Sequence, residues 1–346
     1  HEYFANRAQD TFLLPHSSPE VTNAALFEVD HNYLARMLTE ADTIHHGEIT
    51  LLGAHFRDVG TALSWHTDPG GFHWPMLTRD HMDDYLWADG PPADTKLIWE
   101  LNRHQYLLKL ALASYLTGDP VYTYTIAAHL RGWLKANPIY HGINWYSSLE
   151  IGVRLIAWTL IFQFIRSSPA FDARTMASVL KGIYQQADFL LHHLTDDEEV
   201  PNNHLIGEAT ALVIVGAVFP EFEASEFWLT TGIHHLKRQA IVQTFDDGLT
   251  REQATGYQRF VVEFLVLVKL AASRGLIRWQ PVIDSVLERM LDATSALIAP
   301  DGTAPMWGDS DDGSAHGLAQ TAHYWDFRAL LALGAALGIA FYMFIG

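Results

Sequence analysis

From Asp94 onward, apolar residues return at helical spacing through one segment after another. These segments are Asp94–Tyr115, Val121–Ala136, Ser147–Ile165, Arg174–Leu194, Asn203–Val218, Ser225–Val242, Gly256–Ser273, Pro281–Ile298 and Tyr324–Tyr342. Short polar stretches separate them, and Gly118 and Pro120 act as stop signals after the first. Successive apolar helices on short connections form antiparallel neighbours, so the pattern predicts an all-α fold, an incomplete (α/α) toroid of helical hairpins. No strict sequence repeat accompanies the spacing. Residues 1–93 read differently. Glu20–Thr43 has helical spacing, Glu48–Gly53 and Ala62–Trp65 are short extended pieces, and Trp65–Pro75 is dense in turn residues and aromatics. The expected organisation is an irregular and partly helical segment, 1–93, packed on a toroid domain, 94–346.

With 346 residues and 49% hydrophobic content, the chain can bury a large core. Its 22 Lys+Arg against 40 Asp+Glu give a net charge of −18, which argues against nucleic acid as a partner. An anionic ligand therefore needs a local cluster of Arg, His and Asn. No cysteine is present, so disulfides, thiolate nucleophiles and cysteine zinc sites drop out together. Ala329–Gly346 runs 18 residues without a charge, the minimum for a membrane span. Its small residues and glycines suit a helix packed inside a helical assembly better, so no membrane partner is expected. Composition leaves the compartment and the oligomeric state open; the expectation is a periplasmic or secreted location, with the cytoplasm as the alternative.

The polar loop Glu198–Asn202 leads into Asn203, His204 and an apolar helix. Amide and imidazole groups at a helix N-terminus are well placed to hold a carboxylate, although capping is the commonest task of such an asparagine. A second cluster runs from Asp246 to Arg259. Thr255 and Gln258 have capping-box spacing, which places Tyr257 in the first turn of a helix. A phenol there serves as an acid or base only if its site tunes it, and the alternative is a tyrosine packed with its hydroxyl on backbone. Arg251 and Arg259 flank it, either one a candidate surface charge, and Gln253 lies beside Arg251.

Trp99, Glu100 and Arg103, then Asn144, Trp145, Glu150 and Arg154, combine aromatic, amide and guanidinium groups. Such a mixture suits a sugar cleft, with rings stacking on pyranose faces and polar groups reading hydroxyls and carboxylates. The plainer reading is helix salt pairs, Glu100 with Arg103 and Glu150 with Arg154. Asp301–Gly313 invites a calcium reading, but in a loop counted from Asp309 the fifth position is Gly313 and the twelfth is Gln320, which break the pattern, and an acidic turn is the better description. The pairs His45–His46, His192–His193 and His234–His235 lack metal-ligand spacing. No metal and no cofactor are expected.

Taken in order, Trp99-Glu100-Leu101-Asn102-Arg103, the Asn137-Pro138 to Gly142, Asn144, Trp145, Glu150 and Arg154 series, Asn202-Asn203-His204, Thr255-Gly256-Tyr257 and Gly308–Gly313 resemble the heparinase II/III-like polysaccharide lyases. The likeness covers roughly Lys96 to Leu337. It implies a toroid followed by an antiparallel β-sandwich, a domain for which this sequence ends too early. An open cleft without that wall is expected to admit water and lose part of the site. The resemblance also implies an acidic, uronate-containing polysaccharide as the partner. Asn203 with His204 would neutralise the uronate carboxylate, acidifying the C5 proton, and Tyr257 would act as acid at O4, and in some relatives as base too. Trp99, Glu100, Arg103, Asn144, Trp145, Glu150, Arg154, Arg251, Gln253 and Asp309 would line the cleft.

Two other classes fit parts of the pattern. A toroid glycoside hydrolase would use two carboxyl groups from Glu100, Glu150, Asp247 and Asp309. A non-catalytic glycan-binding or scaffold protein of a polysaccharide assembly system would keep the cleft without the chemistry. The expectation is β-elimination on a heparan sulfate-like, alginate-like or bacterial exopolysaccharide.

Overall fold

The computed structural model describes residues 1–14, 18–57, 64–87, 93–196, 202–310, 312–317 and 324–339. Glu198–Pro201, Asp311, Gln320, Ala62–Leu63 and residues 340–346, which entered the sequence expectations, lie outside them. Two compact units divide the chain, residues 1–186 and 187–346. The change of texture at residue 93 thus falls inside the first unit.

In the first unit, α1 (Glu2–Asn6), α2 (Pro19–Val29) and α3 (Tyr33–His45) precede a hairpin of β1 (Glu48–Leu51) and β2 (Ala54–Arg57). Leu52 and Gly53 both take positive φ, as a tight two-residue hairpin turn demands. The helix expected over Glu20–Thr43 is in fact two, since the chain turns at Asp30–Asn32, where the Asp30 carboxylate accepts from Asn32 N. Then come α4 (Arg79–Trp87), α5 (Thr95–Arg103), α6 (Leu107–Thr117), α7 (Pro120–Ala136), α8 (Ser148–Ile165) and α9 (Ala173–Leu191), the last of which crosses into the second unit.

The helix expected over Asp94–Tyr115 is also two. Asp94 starts it as foreseen, its carboxylate accepting from Lys96 N at 2.9 Å. The chain then breaks at His104, in the left-handed region at φ 63°. Packing outweighs helix continuity there: the buried His104 ring stacks on Trp158 of α8, whose Nε1 donates to His104 Nδ1 at 2.8 Å. Among the described residues α8 alone is long and apolar enough to cross a membrane, and 94% of it is buried inside the protein.

The second unit holds α10 (Asn203–Val218), α11 (Ser225–Val242), α12 (Thr255–Ser273), α13 (Pro281–Leu297) and α14 (Arg328–Ala336). Apolar on every face, α10 is buried by α11 and α12, which pack against it. Gly216 and Gly232 let α10 and α11 touch backbone to backbone: a Cβ on Gly232 would lie 2.6 Å from the Ala209 carbonyl. Both units are thus built from consecutive helical hairpins, the all-α class expected from the sequence.

Candidate active site

The N-terminus of α10 separates the two asparagines. Asn202 is the cap, its Oδ1 accepting from His204 N at 2.9 Å. Asn203 is therefore not needed as a cap and does something else. It is 4% exposed, and it faces Glu252 twice: its backbone N donates to Oε1 at 2.9 Å and its Nδ2 donates to Oε2 at 2.8 Å. His204 stands next to it, half-buried in the first turn of α10.

Glu252 is delivered by a tight hairpin between α11 and α12. Phe245 N donates to the Leu249 carbonyl, Arg251 N to the Gln243 carbonyl, and Thr244 pairs with Thr250. Gln258 ties the hairpin down from inside: its Oε1 accepts from Thr250 N at 2.7 Å and its Nε2 donates to the Gly248 carbonyl at 3.0 Å. That bond corrects the capping box expected from Thr255 and Gln258. Ala254 occupies the cap position, and Thr255 Oγ1 donates to the Pro305 carbonyl at 2.8 Å instead.

Tyr257 lies in the first turn of α12, as the spacing predicted, and its hydroxyl donates to Asp309 Oδ2 at 2.7 Å. Asp309 reaches it because the 305–310 segment runs close along the start of α12, with Thr255 N donating to the Trp307 carbonyl. The approach depends on two glycines. A Cβ on Gly308 would sit 2.7 Å from Ala254, and one on Gly256 would sit 2.7 Å from Ser310 Oγ. Behind this segment, fully buried Glu263 takes Arg259 Nε on one oxygen and Ser314 Oγ and Ala315 N on the other. Arg259 is thus a buried ion-pair partner, not a surface charge. Burial works against the Glu263 carboxylate, but the neighbouring His316 and Arg259 charges and its hydrogen bonds hold it below the ordinary carboxylate value. Arg251 is exposed and lies over the Phe245 ring, and Gln253 is held at φ 54°. A cavity of about 540 Å³ opens beside them, walled by Phe245, Leu249, Gln253, Leu297 and Trp307.

The remaining expected site residues belong to the first unit, where they form a buried network. Arg103 donates to both Glu150 oxygens at 2.7 and 2.8 Å and to Glu100 at 2.8 Å. Arg154, fully buried, bonds Gln186 and the Asn102 and Asn144 carbonyls and lies 4.5 Å from the Trp133 ring centre. Burial lowers its guanidinium to about 9, against the pull of Glu150. Asn144 and Trp145 donate inward, to Asn137 and the Trp65 carbonyl and to the Asn137 carbonyl respectively. Asn144, Trp145, Glu150 and Arg154 are thus buried within this network, between 0 and 4% exposed. The i,i+4 pair of Glu150 with Arg154 gives way to the longer-range pair with Arg103. Glu100 and Trp99 are half-buried, Trp99 donating to the Ile143 carbonyl. Glu252 went unnoticed in the sequence, because only its contact 49 residues away reveals it.

The chain matches the family model described as heparinase II/III N-terminus over residues 9–328. It is 28% identical over 240 residues to a heparin-sulfate lyase of Pedobacter heparinus, an alignment covering 67% of this chain and 35% of that protein. Among solved structures, a heparinase III shares its fold with a TM-score of 0.69 at 19% identity, over 96% of this chain and 48% of the other. A heparan sulfate lyase from Pedobacter heparinus aligns with a TM-score of 0.59 at 24% identity, over 80% and 41%. The chain thus spans about a third of the length of the curated relative and less than half of each solved one. A match over almost the whole chain, on a fold of helical hairpins, places this protein in the heparinase II/III N-terminus family.

Proposed function

We propose that this chain is the helical part of a polysaccharide lyase that cleaves a uronate-containing acidic polysaccharide by β-elimination. The observation that carries the reading is Asn203: relieved of capping by Asn202, it keeps a polar amide at the positive end of α10. With His204 beside it, this amide binds and neutralises the uronate carboxylate. Charge that develops as the C5 proton leaves is then stabilised as an enolate-like anion. Tyr257 supplies the acid. Its proton, held toward Asp309 in the resting protein, passes to O4 as the C4–O4 bond breaks and the C4–C5 double bond forms. Asp309, which accepts the hydroxyl proton at 2.7 Å, also leaves the phenol oxygen able to take the C5 proton, so Tyr257 can serve as base before it serves as acid.

The names of the relatives make a heparan sulfate-like polymer the first substrate to test, with alginate and bacterial exopolysaccharides as comparisons. A hydrolase is less well supported, since Glu100 and Glu150 are both bonded to Arg103 and Asp309 to Tyr257. The test is ultraviolet absorbance of the new double bond for the protein, N203A and Y257F. Absorbance that rises with the unaltered protein and falls at least about 100-fold in both variants is expected. Release of reducing ends with no absorbance change would overturn the reading.

A further inference from the structure

We infer that Glu252 is a positioning residue that sets the orientation of the Asn203 amide; this rests on the reading of Asn203 as the carboxylate-binding group. An asparagine amide has two orientations related by a half-turn, and an unconstrained one samples both. A carboxylate accepts hydrogen bonds and donates none, so the atom facing Glu252 Oε2 at 2.8 Å must be Nδ2. The other oxygen accepts from the backbone N of the same residue at 2.9 Å, which fixes the carboxylate in turn. One carboxylate therefore fastens both main chain and side chain of Asn203. One amide hydrogen is committed to Glu252, and among the described residues the second has no hydrogen-bond partner, which leaves it for a ligand in a constant direction.

The hairpin behind Glu252 is built to hold it. The Gln258 bonds, the Thr244–Thr250 pairing and the Arg251–Gln243 bond immobilise the segment just before it, and α12 starts three residues after it. Charge argues for the same role. A carboxylate beside a bound uronate repels it, so Glu252 does not serve to raise affinity. Its contribution is geometric, and it acts when the reacting atoms are aligned.

Glu252→Gln separates this role from a structural one. Glutamine keeps an oxygen for the backbone N–H, so a residue that merely capped α10 would be replaced without loss. Its Nε2, however, would meet Asn203 Nδ2 donor to donor, which turns the amide over. The experiment follows the Asn203 side-chain amide signals by nitrogen–proton NMR, assigned by their loss in N203A. Steady-state turnover of a heparan sulfate polymer is measured on the same samples. With E252Q the amide signals are expected to move, kcat to fall about 100-fold and KM to stay within about threefold. Unmoved amide signals with unaltered kcat would overturn the inference, as would a change confined to KM. Full activity in N203A would instead refute the carboxylate-binding reading, and the amide signals decide the positioning whether or not the chain turns over.

Discussion

At the scale of single residues, two adjacent asparagines carry different work, and the difference is measurable. Asn202 accepts from His204 N and is an ordinary cap, so N202A should lose about 1 kcal/mol of stability and keep turnover within about twofold. N203A removes the amide aimed at Glu252 and should show the opposite, with turnover lost and the cap intact. Denaturant unfolding and initial rates on the two variants check both halves; equal losses in both would mean the asparagines share one task. The pair was legible in the sequence as a polar doublet at a helix start, but which member capped was not, because capping is decided by backbone geometry at a single position. Glu252 and Asp309 were harder still. Their partners lie 49 and 52 residues away, and nothing local in Arg251-Glu252-Gln253 or in the acidic turn around Asp309 points to an asparagine or a tyrosine.

At the scale of elements, the hairpin between α11 and α12 is where the site is most vulnerable. Gly248 has φ 90°, and a Cβ there would lie 2.0 Å from the Arg289 carbonyl oxygen. G248A combines left-handed strain with a backbone clash, so it should cost at least about 3 kcal/mol and displace Glu252 with the turn. A lowered unfolding midpoint with impaired turnover is expected, and native stability in G248A would show that the hairpin yields easily. Most helices were readable from apolar spacing and stop signals, α10 and α11 to the residue. The failures were breaks: a hydrophobic period continues through His104, yet its ring is taken by Trp158, and no periodicity reports a ring stacked across 54 residues. For the same reason the contacts of Arg154 were not legible, since its partners are backbone carbonyls and Gln186, groups without a sequence signature.

At the scale of the whole molecule, buried histidines tie stability to pH. Burial lowers the imidazoles of His66, His104 and His316 below their ordinary 6.5, most strongly for His104, which Arg154 and His129 also disfavour as a cation. Around His316, the Glu263 carboxylate pulls the other way and Arg259 adds to the lowering. A histidine harder to protonate folded than unfolded binds more protons in the unfolded chain. Its contribution is complete above about pH 6.5 and drains away as pH falls toward its folded value. Each fully buried imidazole should then cost up to about 1.4 kcal/mol per pH unit below 6.5, and His66 less because it retains some solvent contact. Glu263 acts in the same direction lower down: its folded value lies below 4.5, so its stabilisation is present above that value and is lost on further acidification. Unfolding free energies measured by denaturant titration should be level from pH 8 to 7 and fall steeply between pH 6.5 and 5. His104→Gln should flatten part of that slope while lowering the plateau. A stability unchanged from pH 7 to 5 would mean that these rings are protonated in place, and that the packing around Trp158 and Glu263 tolerates the charge.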